Sequence, residues 1–213
     1  DRHDPRSPNP RLERNGQPVD YSDGEFSTDL FVDFISSFIR TNREHPFFVY
    51  YPMALVHCPF SPTPDSRAWD PTSRGSQDYK GDPQYFGDMV AYTDKAVGRI
   101  DDLLEELGLR ENTLLIFTGD NGTDTPIVTN TSFGRVAGAK GSMTDGGNRV
   151  PCIISWPAVI RSGRVCQDII DFSDFLPTIC QATGGSIPTE PSIDGQSFLP
   201  QLKGQSGNPR RSI

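Results

Sequence analysis

The sequence predicts an α/β fold in which helices pack against a layered sheet. Segments with helical spacing of apolar residues alternate along the chain with short runs of β-branched and aromatic residues. The connections between them are long and rich in turn formers, with 20 Gly and 19 Pro among 213 residues. Such alternation favours parallel strands, and in parallel sheets the ligand site lies beyond the carboxyl ends of the strands.

The first quarter of the chain predicts a loop, a helix and a strand, in that order. Residues 1–25 are polar and predict an irregular loop. Apolar residues recur every three or four positions over residues 27–41, which predicts an amphipathic helix. Residues 46–53, PFFVYYPM, are aromatic and β-branched and end at a proline. They predict a strand that is buried on both faces.

The remaining elements follow from the same periodicities. Gly108 and Gly184 stand where predicted helices end, a position that glycine favours. Residues 203–213 predict an irregular tail. The predicted elements are a helix over 84–107, a strand over 114–117, a glycine-rich loop over 123–148, a strand over 150–156, a helix over 173–182 and a short helix near 198–202.

Charge and composition exclude several classes of protein. The net charge of −8 and the isoelectric point near 4.8 disfavour binding to nucleic acid or to anionic membranes. The sequence contains no stretch of about 18 apolar residues, so it predicts no membrane-spanning helix. The four cysteines form no Cys-x-x-Cys pair, which argues against zinc-ribbon and thioredoxin folds. One or two disulfides remain open, and the sequence does not pair them.

The segment FTGDNGTD, residues 117–124, contains the first candidate site. Asp120 and Asn121 directly follow a predicted strand and are flanked by Gly119 and Gly122. These residue types commonly form surface turns. They also offer a carboxylate and an amide oxygen, which are the donors that Ca²⁺ or Mg²⁺ prefers. Two oxygens do not complete a coordination shell of six to eight ligands, so further ligands are required.

His57 and Lys140 are the other candidates. His57 follows the predicted strand at 46–53 and could donate a proton to a leaving group or a hydrogen bond to an anion. Lys140 lies in the glycine-flanked segment GAKGSMTDGGNRVP and could act as a point charge for sulfate or phosphate. Taken singly, each is equally compatible with a surface residue. Arg149 and Asp145 are weaker candidates. Arg149 could bind an anion but is rather expected to form a structural ion pair, and Asp145 is expected to hydrogen-bond within its own glycine-rich turn.

The order and spacing of four blocks resemble the sulfatase family of the alkaline-phosphatase-like superfamily. The first block is HPFFVYYPMALVHCPF, and the second runs from YFGDMVAYTDKAVGRI to the segment LLIFTGDNG. The third is GAKGSMTDGGNRVPCIISWPAVI, and the fourth is DFSDFLPTICQATG. We expect a family-like core over residues 26–202, with the alkaline-phosphatase-like α/β/α layered fold.

The resemblance implies a role for each candidate residue. It implies that Asp120 and Asn121 are ligands of one Ca²⁺ ion. It implies that Lys140 contacts the substrate sulfate near the leaving oxygen. It implies that His57 binds the sulfate and is a candidate acid for the leaving alcohol. The reaction that the family performs on such a site is the hydrolysis of an aryl or carbohydrate sulfate.

Some family motifs do not occur in these residues. Family members carry an upstream Cys-or-Ser-x-Pro-x-Arg motif, whose first residue becomes the formylglycine nucleophile, and an upstream Asp-Asp pair that completes the metal site. Neither is present in the 213 residues. We therefore expect the carboxyl-side portion of a sulfatase catalytic domain, with an incomplete sheet because the N-terminal part is missing, and no activity of this portion alone.

Two other hypotheses remain at this stage. One is a phosphodiesterase or phosphonate hydrolase of the same superfamily, and the other is a non-catalytic remnant that binds Ca²⁺ or an anion weakly. The expected partner is a small anionic sulfate ester rather than nucleic acid. The resemblance also favours an extracytoplasmic location, periplasmic, secreted or lysosomal. The sequence does not indicate an oligomeric state or which sulfate ester is the substrate.

Overall fold

A computed structural model describes residues 6–132, 134–188 and 190–211. The chain divides into two compact units, although the sequence predicts a single domain. Unit 1 contains Asp1–Arg110 and Phe117–Ile153, and unit 2 contains Glu111–Ile116 and Ile154–Ile213. Within the described ranges, no helix has the length and apolarity needed to cross a membrane.

Two long helices of unit 1 pack against each other. Helix α1 spans Ser27–Asn42 and helix α2 spans Phe86–Glu106, which confirms both predicted helices to within two residues. Their contact buries Ile35, Ile39 and the adjacent Leu103 and Leu104. These aliphatic residues recur at helical spacing, so the pattern that predicts the helices also supplies the core between them.

The N-terminal loop prediction is wrong over residues 11–20. Strands β1 (Arg11–Arg14) and β2 (Gln17–Asp20) pair antiparallel there. The turn between them is Asn15-Gly16, and both residues have positive φ, 53° and 77°. An Asn-Gly pair in this conformation forms the tight turn that best matches the twist of a hairpin, and it was a readable signal in the sequence.

Residues 46–53 do not form the predicted strand, because no strand pairs with them among the described residues. Phe48 and Tyr50, which would share one face of a strand, are 69% and 79% exposed, so the segment is not buried on both faces as predicted. Tyr51 and Phe47 lie on the cluster between the two long helices and are partly buried. A strand is defined by its hydrogen-bonding partner, whereas the sequence pattern reports only the side chains.

Two strands flank the predicted glycine-rich loop. Strand β3 (Leu115–Thr118) pairs with strand β6 (Cys152–Ser155), close to the two predicted strands. The N–H of Gly119, after β3, donates to the carbonyl of Pro151, before β6, at 3.3 Å. The end of one strand thus lies beside the start of the other, which makes this pair antiparallel rather than parallel.

The segment between β3 and β6 is more ordered than a loop. It contains the antiparallel hairpin of β4 (Val128–Thr131) and β5 (Gly134–Ala137), whose described residues are exposed. It also contains the short helix α3 (Asp145–Asn148). Propensity did not indicate the hairpin, because Thr, Asn and Gly residues there suggest turns.

Unit 2 contains helix α4 (Phe175–Thr183) and the short helix α5 (Leu199–Leu202), as predicted. Gly184 has the left-handed conformation, φ 73°, and caps α4. The hydroxyl of the buried Thr178 on α4 accepts from the N–H of Phe198 at 3.0 Å, just before α5. The carboxylate of Asp174 is also buried and pairs with Arg210, which ties the end of the chain to the start of α4.

Candidate active site

All four predicted site residues, His57, Asp120, Asn121 and Lys140, belong to unit 1. His57 follows residues 46–53 and is exposed, and Asp120 and Asn121 follow strand β3. Lys140 follows strand β5 and its side chain is exposed. The predicted site therefore draws on three separated blocks of sequence, and the backbone contacts between these blocks determine whether they meet.

The Nδ1 atom of His57 has two neighbours that make opposite demands on its proton. Arg6 Nη1 lies 2.9 Å from His57 Nδ1 and donates to the Cys58 carbonyl at 3.3 Å. That carbonyl is itself 2.5 Å from Nδ1. A guanidinium can only donate to a bare Nδ1, whereas a carbonyl oxygen can only accept from Nδ1–H, so these contacts do not select a tautomer. Both contacts are made by Nδ1, so Nε2 is the candidate atom for an interaction with an anion or a leaving oxygen.

The loop after β3 depends on the glycine at position 122. The Gly122 N–H donates to the carbonyl of Gly147 at 2.8 Å. A Cβ added to Gly122 would lie 1.9 Å from the Gly146 carbonyl oxygen, so no other residue fits without a backbone shift. The Asp-Asn-Gly tripeptide is therefore held against the short helix α3 rather than forming a free surface turn.

The Lys140 block packs against the same loop. The backbone N–H of Lys140 donates to the carbonyl of Thr123 at 3.1 Å, and that of Gly138 donates to the carbonyl of Ile127 at 2.8 Å. These bonds place the backbone of Lys140 next to the loop that follows Asp120 and Asn121. The predicted neighbourhood of the lysine and the two oxygen donors is thus present at the level of the backbone.

A third connection, which no sequence pattern indicates, joins the histidine block to the same loop. The thiol of the buried Cys58, the neighbour of His57, donates to Asp124 Oδ2 at 3.6 Å. Lys80 Nζ donates to the same carboxylate oxygen. The side chains of Lys80 and Asp124 are 38% and 22% exposed, so this pair is partly shielded from solvent.

The Lys80–Asp124 pair also sets the charge of both groups. The hydrogen bond from Lys80 outweighs the effect of burial and lowers the pKa of Asp124 below its usual value. The bond to Asp124 raises the pKa of Lys80 in turn. Both groups are therefore charged near neutral pH, and their attraction helps to hold the loop beside Cys58. Positions 80 and 124 lie far apart in sequence, so no local pattern reveals the pair.

The two weaker candidates form only a loose pair. Arg149 Nη1 lies 3.9 Å from Asp145 Oδ2, and both side chains are largely exposed. The Arg149 N–H bonds to the Asp145 carbonyl at 2.9 Å within the same turn. An exposed pair at this distance contributes little to stability. The expectation of a structural pair describes the geometry of Arg149 better than binding of an anion does.

The oxygen donors suit a hard cation in kind but not in number. Asp120 supplies a carboxylate and the half-buried Asn121 supplies an amide oxygen. Among the described residues, no group of three or more His, Cys, Asp or Glu side chains is arranged to hold a metal ion. These two side chains alone leave most of the coordination shell of a Ca²⁺ ion to other ligands.

Solved structures place the chain in a class of hydrolase folds. The structure of Ps i-CgsB superposes with a TM-score of 0.71 at 26% identity, covering 90% of this chain and 41% of that chain. The complex of Ps i-CgsB with k-i-k-neocarrahexaose superposes with a TM-score of 0.70 at 25% identity, covering 92% and 42%. The chain thus has a partial alkaline-phosphatase-like α/β fold, as expected from the sequence.

Sequence comparison identifies the family within that class. The Sulfatase family model matches residues 3–186. The chain belongs to the sulfatase family. Human steryl-sulfatase is 32% identical over 198 residues, which cover 89% of this chain and 31% of that protein. Mouse N-acetylgalactosamine-6-sulfatase is 33% identical over 194 residues, which cover 88% and 35%. The chain therefore spans about a third of the length of these relatives.

The cysteines take no part in a disulfide. All four are free, with Cys58 buried and Cys152 and Cys166 exposed. The disulfides left open by the sequence are thus not formed in this structure. Cys58 instead contributes a thiol hydrogen bond next to the candidate site, which is a role that its spacing to other cysteines does not indicate.

Proposed function

We propose that this chain is the part of a sulfatase catalytic domain that supplies a histidine, a lysine and two calcium ligands to the hydrolysis of a sulfate monoester. The expected substrate is an aryl or carbohydrate sulfate. The observation that carries the proposal is the convergence of three blocks on one loop. Lys140 bonds to Thr123 in that loop, and Cys58, the neighbour of His57, bonds to Asp124.

The chemistry of the four residues suits this reaction. Cleavage of a sulfate ester places negative charge on the leaving oxygen, which must gain a proton to leave as an alcohol. In this proposal the Nε2–H of His57 supplies that proton, and the ammonium of Lys140 stabilises the developing charge. A Ca²⁺ ion held in part by Asp120 and Asn121 would neutralise charge on the sulfate oxygens.

The proposal assigns the nucleophile to a part of the family domain other than this chain. By resemblance, the nucleophile is a formylglycine, and its Cys-or-Ser-x-Pro-x-Arg motif does not occur in these 213 residues. We accordingly propose that the chain alone does not hydrolyse sulfate esters. The extracytoplasmic location stays part of the proposal and rests on the resemblance.

Hydrolysis by a longer polypeptide that contains this chain and the nucleophile motif tests the function. We expect release of the alcohol from an aryl sulfate, with little activity on the matching aryl phosphate monoester or diester. The 213-residue chain alone is the matched control and should release nothing above background. Hydrolysis of phosphate diesters without sulfate esters would instead favour the phosphodiesterase hypothesis and overturn the proposal.

Calcium binding to the isolated chain is a second test. Titration calorimetry with CaCl₂ should give no binding tighter than the millimolar range, because Asp120 and Asn121 fill only two of six to eight positions. Asp120→Ala should abolish any residual heat, whereas the control Asp145→Ala should not. Tight binding of one Ca²⁺ that survives Asp120→Ala would show that the metal ligands are elsewhere.

A further inference from the structure

A cavity of about 280 Å³ lies beside His57 in unit 1. Residues from three segments of the chain line it, and most of them carry hydrogen-bonding side chains. The hydrogen-bonding side chains of its lining include those of Arg6, His57, Ser61, Arg74, Ser76 and Gln77. A cavity that shares His57 with the candidate active site is placed to receive the part of a substrate that adjoins its reacting group.

The cavity is positively charged although the chain as a whole is acidic. Arg6 and Arg74 contribute two guanidinium groups, and Asp78 is the one carboxylate among its described lining residues. The net charge of the chain is −8, so this local excess of positive charge is opposite in sign to the charge of the whole chain. Two cations around a small cavity favour a ligand group that carries negative charge.

Each arginine is held in place by the backbone or by His57. Arg6 Nη1 bonds to His57 Nδ1 at 2.9 Å, and Arg74 Nη1 donates to the carbonyl of Tyr21 at 3.3 Å. Both contacts use Nη1, and a guanidinium carries five N–H donors in a planar fork. An arginine anchored in this way can still bind a sulfate or carboxylate with its other donors.

We propose that this cavity is a subsite for a second anionic group, a sulfate or carboxylate, on the same carbohydrate that carries the reacting sulfate. The inference rests on the proposed function, since it uses His57 as the boundary between the two sites. The two guanidinium groups suit a substrate that carries a second negative charge beside its reacting sulfate. A polyanionic saccharide has such a charge, whereas the sulfate ester of an otherwise neutral aryl or steryl alcohol does not.

Binding of defined sugars to the 213-residue chain tests the subsite. The probes are glucosamine 6-O-sulfate with an acetylated amine, D-glucosamine-2-N,6-O-disulfate, and a monosulfated disaccharide that carries a uronic acid. By titration calorimetry, we expect the disulfated sugar or the uronic acid disaccharide to bind at least about tenfold more tightly than the monosulfated sugar, as for a charge-assisted hydrogen bond.

Substitutions test whether the two arginines cause the tighter binding of the dianionic sugars. Arg74→Gln should reduce the ratio of affinities to near one without changing the affinity for the monosulfated sugar. Arg6→Gln should do the same, but this residue also contacts His57, so Arg74→Gln provides the cleaner result. Arg43→Gln is the matched control, because Arg43 is exposed and pairs with Glu44 away from the cavity. Circular dichroism of each variant checks that the helices are retained.

Three results would overturn the inference. They are equal affinities for mono- and dianionic sugars, a preference that persists in folded Arg74→Gln, and no detectable binding of any probe. None of them bears on aryl sulfate hydrolysis by the longer polypeptide, which tests the proposed function separately. The converse outcome is also distinguishable. If Arg74→Gln removes the preference but the longer polypeptide does not hydrolyse sulfate esters, the anion subsite stands and the sulfatase proposal is refuted.

Discussion

His57→Ala and Lys140→Ala, made in a longer polypeptide with sulfatase activity, are each expected to lower turnover by roughly a hundredfold or more. The reasons differ. In the proposed mechanism, Lys140 supplies a fixed positive charge for the sulfate and the leaving oxygen, so its loss should affect all substrates. In the same proposal, His57 donates a proton from Nε2, so its loss should affect chiefly substrates whose leaving alcohol is a poor leaving group.

Leaving-group dependence separates the two roles. Turnover of His57→Ala should fall much more on a sugar sulfate than on a nitrophenyl sulfate, because nitrophenolate leaves without protonation. The turnover of Lys140→Ala should fall on both the sugar sulfate and the nitrophenyl sulfate. His45→Ala and Lys203→Ala are suitable controls, since both are exposed side chains outside the candidate site. A variant whose turnover matches the unmodified enzyme on both substrates would remove that residue from the site.

Asp174→Ala is expected to destabilise unit 2 by about 3–5 kcal/mol, as is typical when one partner of a buried ion pair is removed. The Asp174 side chain is 3% exposed and is bound by Arg210. Its two carboxylate oxygens also accept from the N–H groups of Gln196 at 2.7 Å and Asp171 at 2.9 Å. The substitution therefore leaves a guanidinium and two backbone donors without their acceptor.

Amide hydrogen exchange measures this effect within unit 2. Protection of the α4 amides should drop sharply in Asp174→Ala, whereas the exposed Asp168→Ala serves as a control that should retain it. Unchanged protection in Asp174→Ala would show that the pair does not stabilise α4. Asp174→Asn keeps the shape of the side chain but not its charge, so we expect an intermediate loss of protection of the α4 amides.

The same carboxylate predicts how stability responds to acid. Burial alone raises the pKa of Asp174, but the bonds from Arg210 and the two backbone donors outweigh it, so the pKa lies below the usual value. A carboxyl group with a lowered pKa stabilises the fold above about pH 4 and loses this contribution as the pH falls through the folded-state pKa. Asp174→Ala should therefore flatten the acid side of the stability profile.

Local patterns predicted the long helices and strands β3 and β6, but they failed for the strand at 46–53 and for both hairpins. Helices α1 and α4 follow from apolar spacing and from Gly184, because a helix bonds within its own segment. Residues 46–53 have the composition of a strand, but no partner pairs with them among the described residues. The β1–β2 hairpin was missed although Asn15-Gly16 predicts it, since the polar composition of the segment was given more weight.

The same difference between local patterns and contacts of distant segments applies to the candidate site. Short motifs predict Asp120, Asn121, Lys140 and His57 as site residues. Their segments meet at one loop through the Lys140 backbone bond to Thr123 and the Cys58 side-chain bond to Asp124. The groups that connect these motifs were not predictable. Lys80, which precedes helix α2 in sequence, meets Asp124, which follows strand β3, and Arg6 reaches His57 from the N-terminal segment. Such contacts depend on the folded chain and leave no periodic pattern in the sequence.

The β4–β5 hairpin has a consequence for how relatives of this chain are found. It lies between the Asp-Asn-Gly block and Lys140, and its base is closed by the bond from Gly138 to Ile127. Residues added or removed at its tip would lengthen or shorten an exposed ribbon without moving either block. Evolution is thus free to vary the distance between these motifs, and a search pattern with a fixed gap between them would miss true relatives.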